Sequence, residues 1–302
     1  MRTNSRESFK GVLAAMGAFL IWGIIPVYWK LLQSVDAYEL VMHRVFWSAI
    51  FLILLVRFRG KFSTFLEAFQ NKSMVRIHTF GGVLLGMNWL AFIFAVTHGQ
   101  ILQASLAYFI VPLTNAGLGY LFLQERLSKI KGAAILCATL GVLNEVLQVK
   151  DFPWLALVMA STFGIYSLLK KKTSLGTITG LTMENTAIFP IATVGLLVLF
   201  VRGDGVMFRS SWDLQVLLIL AGVVTTIPLM LFSYGAARIQ LNTLGFIQFI
   251  GPMTKFGLAV WLYHEPFSSA KMVTFGCIWA GIILYLWDSY HGSRIKDVPP
   301  DL

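Results

Sequence analysis

The chain has 302 residues, 57% of them hydrophobic and only 13% charged, with a formal net charge of +10. A soluble domain carries about 25% charged residues, and a sphere of this size could not hide so much apolar surface. An ordinary soluble enzyme, a disordered chain and a disulfide-stapled secreted module are therefore excluded, and the composition is that of an integral membrane protein.

A bilayer core about 30 Å thick takes roughly 20 apolar helical residues. Runs of that kind stand at 10–32, 38–56, 74–96, 101–123, 129–148, 152–170, 178–201, 214–236, 241–263 and 270–288. The expected fold is all-α, with ten transmembrane helices. The longest connections, 57–73 and 202–213, are too short to fold alone. A cleaved leader is not expected, because the first run outlasts an h-region and passes through Trp22, Pro26 and Trp29 without a small-residue cleavage site.

The basic residues fall in short clusters between these runs, such as Arg57-Arg59-Lys61, Arg126-Lys129-Lys131 and Lys170-Lys171-Lys172. They form no stripe that could enter a groove, so no nucleic-acid partner is expected. They read instead as topology signals. With the N-terminus inside, 17 Lys and Arg fall on cytoplasmic segments and five (Lys30, Lys150, Arg202, Arg209 and Lys271) outside, with Arg2 among the inner set. This bias puts both termini in the cytoplasm. Cys137 and Cys277 each lie in an apolar run and read as buried, inert thiols rather than a disulfide framework.

The chain repeats itself at an offset of 140 residues. Gly82-Val83 maps to Gly222-Val223, Phe92 to Phe232, Gln100 to Gln240, Phe109-Ile110 to Phe249-Ile250 and Pro112 to Pro252. Glu125 then maps to Glu265, Ser128 to Ser268, Lys131 to Lys271, Cys137 to Cys277 and Gly141 to Gly281, without a gap. Each repeat, 10–148 and 152–288, holds five spans, and a tail follows at 289–302. Five is odd, so the second half must cross in the opposite sense. An inverted repeat is the architecture of alternating-access transporters.

Several segments carry a family likeness. They include Phe19-Leu20-Ile21-Trp22-Gly23, His43-Arg44-Val45-Phe46-Trp47-Ser48, Asn88-Trp89-Leu90-Ala91-Phe92-Ile93 and Ala104-Ser105-Leu106-Ala107-Tyr108-Phe109-Ile110. The second half adds Gly222-Val223-Val224-Thr225-Thr226-Ile227-Pro228, Thr243-Leu244-Gly245-Phe246, Ile250-Gly251-Pro252 and Lys271-Met272-Val273-Thr274-Phe275. The chain resembles the drug/metabolite transporter superfamily with two EamA-type domains, and the bacterial RarD branch in particular. That resemblance implies a multi-pass inner-membrane permease for small organic metabolites or drugs. RarD-type proteins are named for a link to chloramphenicol sensitivity, which leaves the natural substrate open.

Such transporters bind near the midplane at the repeat interface, where helices are interrupted. Pro26, Pro112, Pro190, Pro228 and Gly251-Pro252 are the expected hinges or kinks, with Pro112 and Pro252 at symmetric points. Tyr108, Pro112 and Asn115 share a helical face, as do their mates Gln248, Pro252 and Lys255. Polar groups facing lipid are costly, so both stripes should point inward. Trp22, Pro26 and Trp29 make a similar stripe, joined by Asn88. An aromatic box with a few polar groups suits an amphipathic organic solute.

Charges inside spans are sharper evidence. Arg44, with His43 beside it and Trp47 a turn on, and Glu184 stand at repeat-related depths of opposite charge. Three readings stay open: an Arg44–Glu184 pair, a proton-coupling carboxylate at Glu184, or a substrate counter-ion. Lys255 either snorkels to the outer face or attracts an anionic group. Glu125 and Glu265 read as symmetric anchors or caps for the following helix. No HExxH, GxSxG, P-loop or GxGxxG stands in a suitable context, so no metal, cofactor or catalytic site is expected. The reading is a secondary transporter of a small organic solute, with protons as a further candidate partner. An uncoupled facilitator is the alternative, as is an integral-membrane enzyme or assembly factor using the same cavity. Oligomeric state is not legible.

Overall fold

Apolar runs this long leave the backbone one way to satisfy its hydrogen bonds without water, which is the helix. The structure is a computed structural model that describes residues 5–148, 152–262 and 269–296. Among them there is no strand. The described helices are α1 (Ser5–Leu31), α2 (Ala37–Phe58), α3 (Phe62–Gln70), α4 (Lys72–Thr97), α5 (Ile101–Leu123), α6 (Lys129–Val146) and α7 (Trp154–Lys172). They continue with α8 (Thr177–Arg202), α9 (Trp212–Arg238), α10 (Leu241–Gln248), α11 (Ile250–Gly257), a π-helical turn (Leu258–Leu262) and α12 (Ser269–Lys296). Among the described residues, seven helices (α1, α2, α4, α5, α8, α9 and α12) are long and apolar enough to cross a membrane. Arg2, Lys150, Glu265 and Ser268, each given a part above, lie outside the described residues.

Two departures from the sequence reading concern helix ends. The connection 57–73 contains α3, whose Phe65 and Ala68 pack on Val56 and Met183. The run expected as one span at 241–263 is divided at Phe249, whose N–H reaches back only to Phe246 O at 3.3 Å. Pro252 has no N–H to offer the Gln248 carbonyl, which removes one rung of the helix there. Pro26, Pro112, Pro190 and Pro228, by contrast, lie inside uninterrupted helices. Cys137 and Cys277 are half-buried free thiols rather than fully buried ones.

The packing is paired. Helix α1 lies on α9 and α7 on α4; α5 lies on α7 and α11 on α1; α2 lies on α9 and α8 on α4. The remaining large contacts, α2 with α8, α5 with α10 and α6 with α12, join helices of matching rank in the two halves. The match reaches single residues. A Cβ on Gly141 would meet Thr274 O at 2.8 Å, and one on Gly281 would meet Ala134 O at 2.7 Å. These positions are exchanged by the 140-residue offset, so α6 and α12 approach each other through two equivalent glycines.

The centre of the bundle is closed by Ala15, Ala18 and Phe19 of α1 against Phe232 and Ala236 of α9 and Leu241 and Leu244 of α10. Outward faces stay apolar: Leu20 and Ile24 of α1, Ile191 and Val194 of α8, and Leu136 and Leu140 of α6 are all exposed. Such a surface suits lipid as its solvent. The chain is a multi-pass membrane protein.

Candidate functional site

Above the closed centre lies a cavity of about 560 Å³. Its walls come from both halves: α1, α2, α4 and α5 on one side, α7, α9, α10 and α11 on the other. The stripe Trp22, Pro26 and Trp29 lines it, as do Asn88, Trp89 and Phe92 of α4 and Tyr108 of α5. Gln248, Gly251, Pro252 and Lys255 complete the opposite wall. Its floor is aromatic, with ring centres of Trp22 and Phe163 5.9 Å apart and of Phe163 and Phe232 5.0 Å apart.

Arg44 enters this cavity from α2. Its Nε donates to Thr225 Oγ1 at 3.0 Å, and its guanidinium carbon sits 4.8 Å from the Trp29 ring centre and 5.2 Å from that of Trp89. Two indole faces hold the charge by cation–π attraction. No carboxylate among the described residues lies within ion-pair distance of Arg44 or of Lys255. Lys255 does not snorkel away: its Nζ lies 3.3 Å from the centre of the Tyr108 ring.

The amides are arranged differently. Asn88 Nδ2 donates to Met159 O at 2.8 Å and Thr162 Oγ1 at 3.2 Å, which ties α4 to α7. Asn115 Nδ2 donates to Gln248 Oε1 at 2.6 Å, and Gln248 Nε2 has no partner although the residue is buried. Turning both amides over exchanges their roles and still leaves one NH₂ group without an acceptor.

Glu184 lies elsewhere, and it does not pair with Arg44. Its Oε1 is 2.5 Å from Lys170 Nζ and 2.9 Å from His78 Nδ1, and its Oε2 accepts from Tyr166 OH at 2.9 Å. All four side chains are buried. His78 Nε2 in turn meets Thr173 Oγ1 at 3.0 Å. An ion cluster of this kind holds only when every member is bonded, and here α4, α7 and α8 are tied at one point. Lys170 is therefore no loop charge, although it opens a run of three lysines. His78 stands at i−4 from Gly82 and i−8 from Gly86, on the face that packs against α8 at Glu184 and Ile188, and that spacing is its one signal in the sequence. Trp89 borders both the cavity and a small void beside Glu184.

Of the other candidates, His43, Trp47, Asn115, Pro112 and Pro228 do not line the cavity. A helix turns about 100° per residue, so with Arg44 in the cavity its neighbour His43 points away. His43 Nε2 is 3.6 Å from Glu39 Oε1, too far for a hydrogen bond, and that oxygen accepts Val206 N–H at 2.7 Å. Trp47 lies one turn further on the same face, against Gly222 of α9. Glu125 caps no following helix: its two oxygens accept the Leu241 and Asn242 N–H groups at 2.7 and 2.9 Å, at the start of α10. The helix that does follow it, α6, is capped by Ser128, which accepts Lys131 N–H at 3.0 Å.

Residues 9–144 match the EamA-like transporter family. The RarD protein of Escherichia coli is 38% identical over 96% of this chain and 98% of its own length. The chain belongs to the EamA-like transporter family, on its RarD branch. A transporter of Bacillus subtilis is likewise 38% identical over 95% of this chain and 97% of its own length. A solved crystal structure shares the fold of this RarD-type chain at a TM-score of 0.69, with 17% identity, over 91% of this chain and 96% of that one. A RarD-type permease is a membrane transporter.

Proposed function

We propose that this chain is a secondary transporter of the bacterial inner membrane, carrying a small organic solute through the central cavity by alternating access. In this reading ten spans form two inverted repeats, 10–148 and 152–288, with both termini and the 289–302 tail in the cytoplasm. The observation that carries it is the cavity itself, walled by helices of both halves. Paired packing supports the repeat, because exchanging the roles of the halves produces a second conformation at no new kind of contact.

Lining residues such as Trp29, Val96 and Ile101 sit near the helix ends that the positive-inside bias assigns to the outer face. The opposite half is shut by the Phe19, Phe232 and Leu244 packing. On that orientation the cavity lies toward the outer face, which supports reading it as an outward-facing vestibule. For protons the candidate is the buried Glu184 with Lys170 and His78. Tyr166 bonds to Glu184 and lies 6.0 Å, ring centre to ring centre, from Phe163 of the cavity floor.

Proteoliposomes loaded with a bacterial metabolite extract test the reading. Specific solutes should leave vesicles holding the protein and stay in empty ones. Identical loss from both, or chemical turnover without net movement, contradicts transport and favours an enzyme in the same cavity.

A further inference from the structure

We infer that the cavity takes an organic anion, a carboxylate borne on an aromatic or apolar body. The inference rests on the transport reading only in calling that ligand a cargo. Two cations, Arg44 and Lys255, line one cavity that has no Asp or Glu among its described lining residues. In a membrane interior an uncompensated cation is costly, and cations retained there mark ion or substrate pathways. Each is stabilised only partly by what surrounds it. Arg44 uses one N–H on Thr225 and leans its flat faces on Trp29 and Trp89, contacts that leave the edge of the guanidinium fork for a planar oxyanion. Lys255 rests on the Tyr108 ring, which satisfies none of its three donors as an oxygen would.

A third, independent feature points the same way. In the buried amide pair Asn115–Gln248, Gln248 Nε2 lacks an acceptor and its residue lines the cavity, while Asn115 Oδ1, which lacks a donor, belongs to a residue outside the lining. Two cations and a free amide N–H all ask for acceptor oxygens. The indole-lined remainder asks for an apolar ring or chain. A cationic amphipath would meet like charge at both Arg44 and Lys255, and a neutral solute would leave both charges uncompensated.

The test is binding of 3-phenylpropionate, 3-phenylpropionamide and 3-phenylpropylamine to the purified full chain in phosphatidylcholine nanodiscs, read by quenching of tryptophan fluorescence. The carboxylate should bind about 10- to 100-fold tighter than its amide, the range expected for charged hydrogen bonds, and the amine should not bind. Arg44→Gln and Lys255→Gln, made separately, should each remove most of that preference. If Arg44→Gln does not fold, Arg44→Lys replaces it and should retain only part of the preference. Equal binding of acid and amide, or tighter binding of the amine, overturns the inference. So does loss of 3-phenylpropionate binding in phosphatidylglycerol nanodiscs, which would give the cations to a lipid headgroup. Carboxylate binding without flux in proteoliposomes would remove the transport reading and leave the anion site standing. Flux of solutes without anion preference would do the reverse.

Discussion

The Lys255 ammonium lies 3.3 Å from the centre of the Tyr108 ring. Shifting Tyr108 forward and Lys255 back by the 140-residue offset lands on Gln248 and Asn115, which bond at 2.6 Å. The offset thus relates a cation on a ring at one place to an amide pair at the other. The ring, not the hydroxyl, carries the first. Tyr108→Phe should leave thermal stability unchanged, whereas Tyr108→Leu should lower it by about 0.5–2 kcal/mol, the range of such contacts. Equal effects of the two would show that the hydroxyl matters instead.

Asn115→Ala should be more damaging than its size suggests. It leaves the buried Gln248 amide without its one partner, at about 1–3 kcal/mol for an orphaned buried polar group. Replacing both residues by Leu should recover part of that loss, as measured by thermal unfolding in detergent.

Glu184→Gln leaves the Lys170 ammonium buried beside a neutral amide. Breaking a buried ion pair by one partner costs about 3–5 kcal/mol. The double variant Glu184→Gln, Lys170→Met should be more stable than either single one. Strict additivity of the two losses would mean that the pair is not coupled.

Gly82→Ala should loosen α4 from α8, because a Cβ there overlaps the Glu184 backbone carbonyl. Overpacking of this kind costs about 1–3 kcal/mol. Gly117 has open space where its Cβ would stand, so Gly117→Ala should instead gain up to about 1 kcal/mol from helix propensity. Melting curves of the two variants, compared with the parent, check the contrast.

The long apolar helices and the cavity's indole stripe were legible because they follow from period and composition. Arg44 was legible for the same reason: a charge within an apolar run stands out. Lys170 was not, since it opens a lysine run at a helix end and only its partner's position distinguishes it from Lys172, which is exposed. The Glu125 cap was illegible because its acceptors serve a helix 116 residues further along the chain. Pro112 and Pro252 stood out as symmetric breaks among five expected kinks, yet only Gly251-Pro252 interrupts its helix. Neighbouring helices decide that, and one span's sequence does not contain them.

Ser105 lines the cavity and is exposed within it. In a chain carrying Cys137→Ser and Cys277→Ser, Ser105→Cys should react with a membrane-impermeant maleimide in right-side-out vesicles and also in inverted ones, while the vesicles stay sealed. Reaction from one face only would contradict alternating access.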